Sequence, residues 1–367
     1  MRKCSERARR LLELPFAGII QIRFGGYFSP TPRDGAGPLA LVPPRWSERR
    51  DGVYASFIRM ANRNRGHGMA HTIGLYAEPL TTTRSMALLT HLLLYPIKSC
   101  AGIAVRSATV HESGLSALGV HDREWMLVTD DGQFLTQREH PRMALIRPLP
   151  DGTSLHVHAP GMETLTLPLA WSGAPAHRRT VRIWDDTVDA ADYGDAAAAW
   201  FAAALGAPCR LVRFRPDVVR PTSTKWTDGV PAQTRFADGY PLLLIGQASL
   251  DDLNARLVAA GRGALPMDRF RPNLVVDGID ACNEDFLGSL RIGGVAIRPV
   301  KPCARCPIPS IDQATGIAGP DPVDILRTYR ANPRMDGAVC FGMNCIVTAG
   351  AGGELRLGQE VDAEIAF

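Results

Sequence analysis

Cys303 and Cys306 stand in the run KPCARCPIPSIDQATG, residues 301–316, with Lys301 before them and Arg305 between them. Two thiols at that spacing could form half of a zinc site, a redox pair, or one thiolate held ready for something else. A closed zinc site needs a second pair, and Cys340 with Cys345 offers one, giving C-x2-C-x33-C-x4-C. Structural zinc prefers short knuckles, and a four-residue gap is at the loose end. The stretch CFGMNCIV also reads as strand, on which Cys340 and Cys345 point to opposite faces. The C-x4-C-x2-C run of plant-type ferredoxins is absent. A thioredoxin-like dithiol opens a helix, and here Pro307 and Pro309 follow. What remains is one or two thiolates in an electropositive loop, where neighbouring cations lower the thiol pKa and keep sulfur anionic.

Such a loop needs a scaffold, and the composition provides for one. A chain of 367 residues with 46% hydrophobic and 21% charged residues is an ordinary soluble composition, long enough for two domains. No apolar run approaches the ~18 residues of a membrane span. The longest, around Ala87 to Tyr95, is interrupted by Thr90 and His91. Eight irregularly spaced cysteines are too few for a disulfide scaffold and fit a reducing compartment, the cytoplasm.

The net charge of +4 is unevenly spread. Residues 1–85 carry 14 Lys and Arg against 6 Asp and Glu, and the remainder carries 27 against 31. The basic segment is rich in turn formers (FSPTPRDGAGP, ANRNRGHG) and shows no sustained helical or strand period. Its arginines are scattered rather than clustered on a helix, which argues against nucleic-acid binding. RARRLLELPFAGII has the basic and apolar parts of a signal peptide, but Glu13 lies inside it and no small-residue cleavage site follows. Residues 1–85 are read as a disordered leader, or as translated sequence upstream of a true start at Met86.

Organised pattern begins at MALLTHLLLYPIKSC. EWMLVTD, a turn at Asp131-Gly132 and QFLTQ read as a hairpin, and SLHVHA, ETLTLPL and TVRIWDD continue the rhythm of a β-barrel or sandwich. DAAAAWFAAALG is an Ala-rich helix stopped by Gly206. The irregular segment RPDVVRPTSTKWTDGVPAQTRFADGY marks a domain boundary. Beyond it PLLLIG is a buried strand, and QASLDDLNARLVAAG is an amphipathic helix with Ser249 as its cap. PNLVVDG, GSLRIGG, VAIRPV, CFGMNCIVT and VDAEIAF are strands, with DPVDILRTYR a short helix. The expected fold is α+β and mainly β. No GxGxxG or P-loop signals a nucleotide site.

Six motifs in order resemble those of MOSC-domain molybdenum enzymes with an N-terminal MOSC β-barrel, such as the mitochondrial amidoxime-reducing component and its bacterial relatives. They are YPIKSCAG (95–102), HDREWMLV (121–128), FRPNLVV (270–276), KPCARC (301–306), IDQATG (311–316) and FGMN (341–344). The resemblance covers about residues 88–367. It implies an N-terminal barrel domain over 86–215 and a mostly-β MOSC domain over 216–367.

The resemblance also assigns roles. Cys306, the second cysteine, would ligate molybdenum, and Cys303 would be its neighbour. The cofactor's other sulfurs come from a pyranopterin dithiolene, and a thiolate suits such a soft centre. Lys98, Ser99, Arg123 and Arg271 match positions that contact this anionic cofactor. Asn273 and Asn344 would meet the pterin edge, Ala304 and Arg305 would present backbone groups or charge beside the metal, and Asp238 carries over from a neighbouring polar run. Asp312 is the candidate proton donor. The implied reaction is two-electron reduction of N-hydroxylated compounds. Some bacterial relatives carry a fused ferredoxin domain, whereas this chain ends after the MOSC domain. Electrons would therefore come from a separate ferredoxin, flavoprotein or cytochrome-type protein. The rival reading is a non-catalytic carrier of molybdenum cofactor or activated sulfur. Cofactor sulfurases of the family add a pyridoxal-phosphate-dependent lyase, for which this length has no room.

Overall fold

The computed structural model describes residues 82–171 and 177–366, together with four short strands nearer the N terminus. Those four strands, Ala40–Leu41, Trp46–Ser47, Ala55–Ala61 and His71–Tyr76, form an antiparallel sheet of their own. The remainder of residues 1–81 lies outside the described residues; this small sheet was not anticipated, and the last four residues of the leader expected over 1–85 instead begin the strand Thr82–Leu94. Residues 82–367 form a second compact unit.

In that unit the strand Thr82–Leu94 (TTRSMALLTHLLL) shows how sequence sets packing. Ala87 and Leu89 are buried while Met86 and Leu88 are exposed, the alternation of a strand with one face on a core. Further along, Leu92 and Leu94 are the buried pair, so the parity has changed. A bulge explains it: Val275 pairs with His91 and Val276 with Leu89, leaving Thr90 as the extra residue. The Thr90 hydroxyl donates to the Val275 carbonyl at 3.2 Å, so the irregularity is tied down.

Seven strands close into a barrel. Their order is Leu242–Gly246, Leu274–Asp277, Thr82–Leu94, Glu360–Ala366, Leu287–Ile292, Val295–Ala304 and Ala338–Ala349. The last pairs back on the first through Leu243 and Asn344. Only Leu242–Gly246 and Leu274–Asp277 run parallel. Leu89, Leu92, Leu244, Val276, Leu290, Ile297, Cys345 and Val361 fill the interior. Closure requires Gly342, whose φ is 76° and whose added Cβ would stand 2.6 Å from Ile245 Cγ1. One stave, Thr82–Leu94, thus comes from the first half of the chain, and Glu354–Arg356 pairs with Ser107–His111 in the same way.

Two further sheets contribute side chains to one core apart from that of the barrel. Trp125–Val128, Arg210–Phe214, Asp186–Asp192 and Arg178–Ile183 form one sheet, and Arg147–Pro150, Ser154–His158 and Leu165–Pro168 the other. The fold is mainly β, with three α-helices among the described residues: α1 (Asp195–Leu205), α2 (Gln247–Ala259) and α3 (Val323–Arg327). Gly206 ends α1 in the left-handed conformation, as its position implied. Ser249 corrects an expectation. The N-cap of α2 is Gly246, and Ser249 sits buried in the first turn. There its hydroxyl donates to Glu284 at 2.6 Å and accepts from the Cys282 amide at 2.8 Å.

Candidate cofactor site

At one rim of the barrel, strand ends from distant parts of the chain surround a cavity of about 320 Å³. Lys98, Ser99, Arg123, Asp238, Arg271, Asn273, Ala304, Arg305, Cys306 and Asn344 all line it. Ten of the residues singled out from sequence are therefore together; Asp312 is not among them.

The loop after Thr82–Leu94 and the turn before Trp125–Val128 are laced together. Tyr95 N donates to Asp122 Oδ1 at 2.8 Å, Arg123 N to the Tyr95 carbonyl at 2.8 Å, and Lys98 N to the Trp125 carbonyl at 2.8 Å. This lacing holds Ser99 and Arg123 at φ 64° and 46°. Arg271, ahead of Pro272, also takes a left-handed φ of 56°. A bulky residue in that region costs energy and is retained where surroundings over-determine it, commonly at functional sites.

Arg123 and Arg271 approach the same Tyr95 ring, at 4.3 and 4.2 Å from its centroid. Arg123 is partnered: it donates to Asp122 at 2.5 Å and to Asn273 Oδ1 at 3.1 Å. Arg271 is not. It is only 9% exposed, and neither Nη1 nor Nη2 has a hydrogen-bond partner. Burial, helped by the nearby Arg123 charge, pulls its pKa down from the usual arginine value. A buried cation without partners is costly unless an anion meets it. Burial pushes the Tyr95 phenol up to about 12, so the ring stays neutral.

Lys98 donates to Asp238 Oδ1 at 2.5 Å, and Trp184 Nε1 donates to the same oxygen at 3.1 Å. Burial lowers the Lys98 pKa against the pull of Asp238. At Asp238 desolvation by the cavity walls acts upward, but the Lys98 charge and the two hydrogen bonds outweigh it and keep the carboxyl ionised. The carboxylate itself still reaches solvent. Arg220, buried behind it, fixes the segment by donating to the carbonyls of Arg235, Ala237 and Asp238.

The other expected contacts are qualified by their partners. Asn273 Oδ1 accepts from Arg123 and from Leu243 N, while its Nδ2 donates to the Leu93 carbonyl, so its amide positions Arg123 and joins three strands. The Arg305 guanidinium is spent on the carbonyls of Phe270 and Phe341. It brings charge and holds the cysteine loop. Asn344 Nδ2 donates to the Lys301 carbonyl at 3.2 Å. Cys306 is half-buried, with no hydrogen-bond partner for its thiol among the described residues. Burial pushes the Cys303 thiol up, with Arg305 opposing.

Asp312 lies outside the cavity. Its Oδ1 accepts from Thr315 and Ala314 in its own turn, and its Oδ2 accepts from Arg269 at 2.6 Å. These bonds, the Thr315 amide foremost, lower its pKa. A carboxylate held ionised is a poor proton donor near neutral pH, so the structure does not support that role. Among the described residues no group of three or more His, Cys, Asp or Glu is placed to hold a metal ion. Cys345 packs into the barrel core while Cys340 lies outside that cluster. Sequence reasoning missed Tyr95, Asp122, Trp184 and Arg220. Only Tyr95 and Asp122 carried a signal, as uncharged or acidic members of motifs whose cations drew the attention.

Comparison with known proteins places the chain in a family. The MOSC N-terminal beta barrel domain matches residues 86–208 and the MOSC domain residues 231–362. The chain belongs to the MOSC-domain family. Among curated relatives, mitochondrial amidoxime reducing component 2 of Homo sapiens is 36% identical over 245 residues, 65% of this chain and 71% of that protein. Mitochondrial amidoxime-reducing component 1 of Homo sapiens is 33% identical over 243 residues, with the same coverage. Component 1 of Danio rerio is 31% identical over 282 residues, 75% of this chain and 84% of the relative. No helix among the described residues is long and apolar enough to cross a membrane.

Proposed function

We propose that the protein is a molybdenum-cofactor-dependent reductase of N-hydroxylated compounds. The observation that carries this reading is Arg271, a buried guanidinium with both Nη groups unpaired, lining the same cavity as the unpartnered thiol of Cys306. An anionic cofactor with a soft metal satisfies both needs at once. Cys306 would hold the metal. Arg271, Arg123, Lys98 and Ser99 would hold the pterin and phosphate, and Asn344 offers a polar edge. When bound, the cofactor supplies the two-electron couple that cleaves the N–O bond.

In the net reaction a hydroxylamine-type nitrogen takes up two electrons and two protons; its N–O bond breaks, and the amine and water leave. The chain's own part is to orient the cofactor and give the substrate access. Asp238 and Asp312 are both held ionised, so we assign proton supply to solvent at the cavity mouth. Electrons come from a separate ferredoxin, flavoprotein or cytochrome-type donor in a cytoplasmic setting. Metal and pterin analysis of purified protein, with a panel of N-hydroxylated substrates under a chemical reductant, tests this. Molybdenum with pterin and reduction of the panel is the expected result. Pterin-free persulfide would support the carrier reading instead, and zinc would contradict both.

A further inference from the structure

Trp184 occupies a place that turn chemistry would give to another residue. The strands Arg178–Ile183 and Asp186–Asp192 pair through Ile183 and Asp186, so Trp184 and Asp185 form a two-residue hairpin turn. Trp184 takes φ 55° at its first central position. Such turns use Gly, Asn or Asp there, because a side chain at positive φ is strained. The residue also remains 48% exposed, so burial does not explain it.

The ring is nonetheless fixed in orientation. Its Nε1 donates to Asp238 at 3.1 Å, and Phe134 packs against it at 5.1 Å and 60°. The Arg138 guanidinium lies 5.0 Å from its centroid. Trp184, Phe134 and Arg138 all line the cavity that holds Cys306. The hairpin thus accepts backbone strain and exposed apolar surface to stand an indole at the entrance to the site. Conflict between local rule and position of this kind marks residues kept for function.

Charge narrows what such a wall would take. In the proposed function Lys98 and Arg271 are committed to the anionic cofactor, which leaves Arg138 as the cation beside the indole, and the carboxylate of Asp238 is already used by Lys98 and Trp184. A cationic ligand would be repelled, whereas a neutral planar ring can stack on an aromatic face. Resting on the N-reductase reading, we infer that Trp184 is a specificity-determining residue. With Phe134 it selects neutral, planar aromatic N-hydroxylated substrates over saturated ones.

The test compares benzamidoxime with cyclohexanecarboxamidoxime, which share the reacting group and differ in the ring. W184A should raise KM for benzamidoxime about tenfold, a typical loss for one stacked ring, with kcat kept. The saturated compound should change by less than about twofold on the same argument. W184F should retain most of the preference. W184G, which relieves the turn while giving up the ring's contacts to Asp238, Phe134 and Arg138, should still fold and lose the preference. Calorimetric binding of benzamide, which has no N–O bond, gives a readout independent of turnover and should weaken about tenfold in W184A. Equal effects on both amidoximes, or unchanged benzamide binding, overturn the inference. If the wild type reduces neither amidoxime, the reductase reading fails, and the benzamide arm still decides whether Trp184 is a binding wall.

Discussion

Arg271 is where the account can be tested by one atom group. Removing its guanidinium in R271A deletes an orphaned charge from a buried position and so should not weaken the apo-protein by much. It should instead lower cofactor retention about ten- to a hundredfold, the equivalent of ~1.5–3 kcal/mol for a charge-assisted contact. Pterin content per protein after purification, beside the apo-protein Tm, reads the two effects separately. Equal occupancy in mutant and wild type would make Arg271 a structural charge. Asp312 predicts the reverse pattern. Its folded pKa lies below the unfolded value of 3.8, so its stabilisation is present above that value and lost as pH falls through the folded pKa. D312N should therefore lower the unfolding free energy at pH 7, by no more than about 1 kcal/mol for so exposed a pair, and converge with the wild type in acid. The pH profile of reduction should not move. A shifted profile would return Asp312 to the chemistry. Lys98, Arg123 and Arg271 were picked out only through the resemblance, because each stands in a turn or loop where a lone cation has no local pattern to mark it. Trp184 and Arg220 were not, because their roles arise only from neighbours far away in the chain.

At the scale of elements, strands were readable from alternation and turns from Gly and Asp, as at Trp125–Val128 and its Asp131-Gly132 turn. QFLTQ, however, forms only an isolated bridge, Phe134 to Val128, and the strand's ladder partner is Arg210–Phe214. The Thr90 bulge was not readable, since a change of parity inside a run of leucines leaves the local pattern apolar on both sides. Ser249 looked like a cap because cap and first-turn serines differ only in what they meet, and here that is Glu284. Gly342 was hidden for a related reason: a glycine in FGMN states no preference until Ile245 and Leu244 are known to lie against it. G342A should strain the backbone and crowd the seam where the barrel closes, costing about 2 kcal/mol or more. Urea unfolding measures it. A neutral substitution would mean that the seam has room the structure does not show.

For the whole molecule, the two family segments read as consecutive, yet the barrel takes Thr82–Leu94 from the first and its other six staves from the second. Only pairing over that separation shows this, and no local pattern encodes it. The strand begins ahead of Met86, with Thr82–Ser85 paired against Ala363–Ala366. A chain starting at Thr82 should fold and keep its cofactor, whereas one starting at Met86 should be less stable. Insolubility or cofactor loss in the longer of the two would assign the N-terminal segment a part in the fold. The central claim, that one thiolate of the pair binds the metal, is tested most directly by molybdenum X-ray absorption on wild type, C306S and C303S. Serine stays protonated near neutral pH and is a poor ligand for a soft metal. C306S should keep much of its pterin, lose one Mo–S contribution and lose reductase activity, while C303S should match the wild type in spectrum and retain most activity. An unchanged spectrum in C306S, or the same loss in both mutants, would contradict the account.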